Sequence, residues 1–135
     1  MNISHKLYSG AQGWDKLQDV IHEYSKHGIF ILVDENTNKL CLPDLKRKCR
    51  GLENALVIEV PASESNKTIA SIEKIWLQLV DGGAVRNSLM ICLGGGVITD
   101  IGGFAASTYK RGMNFIHIPT TLLAMVDAAL GGKTG

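Results

Sequence analysis

The residues best suited to chemistry crowd into the second half of the chain. Gly94-Gly95-Gly96-Val97-Ile98-Thr99-Asp100 follows the apolar run LMICL (89–93) and precedes a stretch of helical character. Successive glycines at the carboxyl end of a strand let backbone approach a diphosphate. The next helix then offers unpaired N–H groups and the positive end of its dipole. The motif departs from G-x-G-x-x-G because Thr99 holds the third glycine position, and a plain strand-to-helix turn would carry the same glycines. Asp34 closes the run IFILV. A carboxylate there can accept both hydroxyls of an adenosine ribose, although Asp34-Glu35-Asn36 is equally good turn chemistry.

Other candidates are weaker when taken singly. Glu64 and Lys67 stand three apart after ALVIEV, so they can pair across a first helical turn or both face a ligand. Lys110-Arg111 sits among apolar residues. Arginine's fork matches phosphate oxygens, whereas a solvated pair at a loop is the plainer alternative. Thr120 and Thr121 follow Pro119 after FIHI, where hydroxyls suit a cofactor or sugar. Asp127, alone in LLAMVDAAL, needs a partner, a cap or a ligand. Gly132-Lys133-Thr134 ends like a P-loop, but that pattern requires glycine where Asp127 stands, and the reading is rejected. His5, His22, His27 and His117 show no metal spacing, and His117, inside a strand pattern, reads as a hydrogen-bonded core residue. No Ser-His-Asp or Cys-His arrangement emerges.

The elements that must position these groups alternate. Trp14, Leu17, Val20, Ile21 and Tyr24 recur at helical spacing, predicting a helix over 14–27 ended by Gly28. IFILV (29–33) predicts a strand buried on both faces, and a short helix opens at Pro43. ALVIEV (55–60) is the next strand, followed by a helix marked by Ile69, Ile72, Ile75, Trp76 and Leu79 and stopped by Gly82-Gly83. LMICL is a strand, 97–108 a helix and FIHI (115–118) a strand. The expected fold is α/β: a Rossmann-like, mostly parallel sheet flanked by helices.

Composition narrows the classes. The 135 residues suit one domain, with 45% hydrophobic and 20% charged residues and a net charge of +1. That balance leaves no footprint for nucleic acid or an anionic membrane. Three cysteines without C-x-x-C spacing argue against a disulfide scaffold or zinc ribbon. No secretory signal opens the chain, and the longest charge-free stretch, 112–126, is too short and polar to span a bilayer. The expectation is a soluble, cytoplasmic protein. Residues 88–135 carry only Asp100, Lys110, Arg111, Asp127 and Lys133 as charges, yet 11 of the 15 glycines lie at or after Gly82. Such a half is either buried by neighbours or built for backbone approach to a ligand.

Taken together, GGGVITDIGGFAASTYKRGMNFIHIPTTLLAMVDAALGGKTG (94–135) closely resembles the 3-dehydroquinate synthase family. Asp34 and the Glu64…Lys67 pair fall where that family places an acid and a Glu-x-x-Lys after its strands. The resemblance implies conversion of 3-deoxy-D-arabino-heptulosonate 7-phosphate to 3-dehydroquinate, with NAD as a recycled catalyst and a divalent metal, zinc or cobalt. It implies that Asp34 holds the adenosine ribose, that Glu64 and Lys67 fix the nucleotide half of NAD, and that Gly95, Gly96 and Val97 face the diphosphate. Asp100 would anchor the nicotinamide side, and Thr120 and Thr121 would bond NAD. Asp127 and Lys133 would act as catalytic and substrate-binding groups, and Arg111 would contact the substrate phosphate in the partner's site of a homodimer.

Two departures accompany it. Thr99 replaces the glycine usual before Asp100, and the family's metal ligands, a glutamate and two histidines, belong to a C-terminal domain with no counterpart in these residues. Residues 1–135 are therefore expected to be an NAD-binding domain, ending abruptly at Gly-Gly-Lys-Thr-Gly and inactive alone. A sister sugar-phosphate cyclase making inosose or valiolone rings is the alternative within the fold. A free-standing nucleotide-binding module is the alternative outside catalysis.

Overall fold

A computed structural model describes residues 10–120. Helix α1 (Gly10–Tyr24) leads into strand β1 (Ile29–Asp34), and two short helices, α2 (Glu35–Leu40) and α3 (Leu42–Lys48), carry the chain to β2 (Leu56–Val60). A one-turn 3-10 segment (Glu64–Asn66) precedes α4 (Ile69–Asp81). Strand β3 (Leu89–Gly94), helix α5 (Gly96–Thr108), a 3-10 turn (Tyr109–Arg111) and β4 (Asn114–Pro119) follow.

The described strands form one sheet in the order β2-β1-β3-β4, with every pairing parallel. This is the expected fold class. Strand pattern explains the two cores. Phe30 and Leu32 on β1 and Met90 and Cys92 on β3 face α4 and α5, while Ile29, Ile31, Val33, Leu89, Ile91 and Leu93 face α1 and α3. Alternate side chains of a strand point to opposite faces, so an unbroken apolar run becomes a strand covered on both sides. Burying each such side chain contributes about 1.5–3 kcal/mol.

Boundaries differ from expectation in two places. The first helix spans Gly10–Tyr24 rather than 14–27: it starts four residues earlier, and it ends at Tyr24 because residues 25–27 turn into Gly28, whose φ of +92° reverses the chain into β1. The segment after β1 holds two short helices rather than one, broken at Cys41 with Pro43 in the first turn of the second.

The winding of the sheet creates a place for a ligand. From β1 the chain passes to β2 on one side, then crosses back through α4 to β3 on the other. The carboxyl ends of β1 and β3 therefore flank a crevice where the winding reverses, the place where open α/β sheets take ligands.

Candidate dinucleotide site

Parallel pairing brings four strand ends to one edge of the sheet. Asp34 registers with Val60, and Gly94 with Pro119. The backbone N–H of Thr120 donates to Gly94 O at 3.1 Å, which fastens the end of β4 to the glycine turn. Asp34, the 61–67 loop, the 94–97 turn and Thr120 thus share one rim.

The glycine turn is shaped by contact on one side and openness on the other. A methyl on Gly94 would stand 2.7 Å from the Ile98 side chain, whereas one on Gly96 would meet nothing within 4 Å. Gly95 is the N-cap of α5 and supplies no side-chain cap, and the first backbone bond into the helix runs from Thr99 N–H to Gly95 O. The N–H groups of Gly96, Val97 and Ile98 precede that bond and lack helical partners. Uncapped donors beside an open glycine, at the positive end of a 13-residue helix, suit a diphosphate. The Thr99 hydroxyl is buried and bonds Gly96 O at 3.2 Å, so the residue in the third glycine position braces the turn instead of blocking it.

Asp34 caps α2. Its Oδ1 accepts from the N–H groups of Asn36 and Thr37, both at 2.8 Å, and Thr37 Oγ1 accepts from Asp34 N–H at 3.0 Å. Turn chemistry is therefore real at this strand end. Both cap bonds fall on Oδ1, and among the described residues Oδ2 takes none.

Lys67 makes the long-range link. Its Nζ lies 3.0 Å from Glu64 Oε1 and donates to Asp100 Oδ2 at 2.8 Å, joining the end of the 3-10 turn to α5 across 33 residues. The Asp100 bond first, then that to Glu64, pushes the Lys67 ammonium above its ordinary value and keeps it charged. Asp100 itself is 5% exposed, with Oδ1 unpartnered. Sequence spacing leaves open whether Glu64 and Lys67 pair or face a ligand. They pair, and the pair turns toward Asp100.

His117 departs from the hydrogen-bonded core residue that its strand pattern predicts. It is half-buried on β4, and its Nδ1 has no partner. Its packing against α5 is invisible in sequence, because only the strand register and the docking of that helix reveal it. Arg111 does not join the rim. It precedes β4, so a six-residue strand, about 20 Å, separates it from the glycine turn. There Lys110 and Arg111 adopt left-handed φ values of 46° and 68°, in a turn pinned by the Tyr109 hydroxyl donating to Ala84 O at 2.9 Å. Thr121, Asp127 and Lys133 lie outside the described residues.

Among the described residues no group of three or more His, Cys, Asp or Glu could hold a metal ion, and no helix is long and apolar enough to cross a membrane. Open donors over Gly96 and the orphaned buried carboxylate oxygen do fit a dinucleotide.

A family model described as 3-dehydroquinate synthase N-terminal matches residues 57–135, more than half of the chain. A 3-dehydroquinate synthase of Parabacteroides distasonis is 48% identical over 89% of this chain, and one of Pyrococcus abyssi 47% over 88%. This chain spans about a third of those proteins, 34% and 35%. Among solved structures, ValA, a 2-epi-5-epi-valiolone synthase of Streptomyces hygroscopicus subsp. jinggangensis 5008 with NAD+ and Zn2+ bound, superposes with a TM-score of 0.81. It is 28% identical, and the match covers all of this chain and 38% of that one. A 2-deoxy-scyllo-inosose synthase shares the fold at a TM-score of 0.74 and 22% identity, over 85% of this chain and 33% of its own. The chain belongs to the 3-dehydroquinate synthase family, within that family's N-terminal part.

Proposed function

We propose that this chain is the NAD-binding part of a 3-dehydroquinate synthase, which converts 3-deoxy-D-arabino-heptulosonate 7-phosphate to 3-dehydroquinate and phosphate. The observation that carries the reading is the β1/β3 crevice, with uncapped donors and an open Gly96 on one lip and Asp34 on the other. NAD supplies a reversible hydride acceptor there, which acidifies the carbon next to the oxidised alcohol so that phosphate can leave. The chain's residues bind and orient. Asp34 Oδ2 takes the adenosine ribose hydroxyls, and the backbone of Gly95, Gly96 and Val97 faces the diphosphate, with the N–H groups from Gly96 onward donating to it. Glu64 and Lys67 fix the nucleotide half of NAD, Lys67 also holding Asp100, which anchors the nicotinamide side, and Thr120 and Thr121 bond NAD.

Asp127 and Lys133 are proposed to touch the carbohydrate. Arg111, at the opposite edge of the sheet, is too far to serve its own chain's rim. Its assignment to the substrate phosphate therefore requires a partner subunit, which supports a homodimer. The zinc or cobalt ion belongs to residues beyond this chain, and none of these roles depends on it. The protein works as a cytoplasmic enzyme on a small sugar phosphate, and residues 1–135 alone are expected to turn over no substrate.

The test is phosphate release from 3-deoxy-D-arabino-heptulosonate 7-phosphate by the native-length gene product, with NAD and zinc or cobalt supplied. Release with 3-dehydroquinate formed supports the reading. A folded, NAD-binding protein that releases nothing would favour a sister cyclase instead, a second reading prompted by the likeness to ValA along the whole chain.

A further inference from the structure

Two buried side-chain polar atoms among the described residues have no hydrogen-bond partner, Asp100 Oδ1 and His117 Nδ1. Buried polar atoms are nearly always satisfied, so two orphans side by side call for a shared ligand. That they are neighbours follows from α5. A methyl on Gly103 would lie 3.5 Å from His117 Cε1 and 3.7 Å from Nε2, so the imidazole rests against that helix. Gly103 is one turn beyond Asp100, on an adjoining part of the same helix face. The Asp100 charge also acts on the His117 ring.

Neither atom can satisfy itself cheaply. Asp100 Oδ2 is already engaged by Lys67, so turning the carboxylate would break that bond. Burial holds the His117 ring below its ordinary 6.5, keeping it neutral with a single proton to donate. A carboxylate oxygen only accepts. With the ring in its Nδ1–H tautomer, the common ligand must donate to Oδ1 and accept from Nδ1–H. A hydroxyl can do both through one oxygen, and a primary carboxamide through its two polar atoms. Phosphate and carboxylate lack the donor, and an ammonium lacks the acceptor.

We propose that Asp100 Oδ1 and His117 Nδ1 together receive one group of the bound dinucleotide that both donates and accepts, making His117 a specificity-determining residue of the cofactor site. This rests on the dinucleotide reading above. With adenosine at Asp34 and diphosphate at the glycine turn, the group belongs to the nicotinamide half. It is either a hydroxyl of that ribose or the carboxamide.

The experiment measures binding by titration calorimetry on the native-length protein, using wild type, His117→Leu and His117→Asn. Three probes are used: NAD, its 3-acetylpyridine analogue (which loses the amide donor) and an analogue lacking the nicotinamide-ribose hydroxyls. His117→Leu is expected to weaken NAD about tenfold, the size of one lost hydrogen bond, and His117→Asn, which keeps an N–H donor, to recover most of it. Wild type and His117→Leu should bind one analogue equally weakly, and that analogue names the group. A folded leucine variant that binds NAD like wild type overturns the proposal alone. So does a variant weakened by the same factor toward all three probes, because that is a structural effect. Should the leucine variant not fold, wild type binding NAD and both analogues equally well overturns it. Wild type that binds no NAD overturns this proposal and the dinucleotide reading together.

Discussion

Lys67 sits between two carboxylates in unequal surroundings, Glu64 in solvent and Asp100 buried. Removing its ammonium leaves Asp100 without a countercharge. Breaking a fully buried pair costs about 3–5 kcal/mol, but the Lys67 side chain is 30% exposed and water can take up part of the loss. Lys67→Met is expected to lower stability by about 1–3 kcal/mol in urea unfolding, and Asp100→Asn in the same protein to restore part of it. An unchanged midpoint would show that the ion pair does not hold this corner. His117 gives a pH signature. Its folded value lies below 6.5, so the unfolded chain takes up the proton first as pH falls. The ring's contribution is complete above 6.5 and is lost as pH drops through 6.5 toward the lower folded value, with a slope of at most about 1.4 kcal/mol per unit. Its Asp100 neighbour opposes this by favouring the charged ring, without cancelling the burial that dominates. Urea midpoints at several pH values should show His117→Phe flatter than wild type between neutral pH and about 5.5.

At the scale of elements, α5 is fitted on two sides to different tasks. A methyl on Gly102 would overlap Cys92 Sγ and come within 2.8 Å of Leu32 Cδ2, so helix and sheet touch there with no room for a side chain. Gly96 faces open space. Gly102→Ala should therefore cost about 1–3 kcal/mol by overpacking, while Gly96→Ala should leave thermal stability intact and weaken NAD binding by crowding the diphosphate. Melting curves and calorimetry on both variants separate the two roles, and a Gly96→Ala protein binding NAD normally would remove the diphosphate from that turn. Sequence showed the strands and long helices because IFILV, LMICL and ALVIEV each carry apolar residues toward two layers at once. It also showed the glycine turn, since three glycines between a strand and a helix mark a tight turn whether or not a ligand approaches it. The Lys67–Asp100 link was out of reach, because nothing local ties residues 33 apart until the crossover through α4 is built. The facing of His117 onto Gly103 likewise depends on β4 docking in register with β3. Asp34 remained ambiguous for a physical reason. One carboxylate can cap a helix with one oxygen and still offer the other.

For the molecule as a whole, the two cores share the central strands β1 and β3, so neither face can open without disturbing the other. Cys92 stands at that shared centre, fully buried on β3, and burial pushes its thiol up to about 12. A thiol that stays protonated and enclosed reacts only after the surrounding structure opens. Labelling at Cys92, located by mass spectrometry of its peptide, should therefore track global unfolding, while the half-exposed Cys41 reacts without it. The same thiol sets an alkaline limit. The unfolded chain releases its proton near 9 and the folded one only near 12, so stability should decline as pH rises between those values. Cofactor binding enters through the same equilibrium. A ligand that binds only the folded state stabilises it by RT ln(1 + [L]/Kd), about 2.7 kcal/mol at a hundredfold excess over Kd. If NAD occupies the β1/β3 crevice, that concentration should slow Cys92 labelling in the native-length protein by about a hundredfold when reclosing outruns reaction. Cys41 labelling should barely change. Equal protection of both thiols would mean that NAD shields the protein locally or inhibits the reagent, and no protection of Cys92 would remove the cofactor from this crevice.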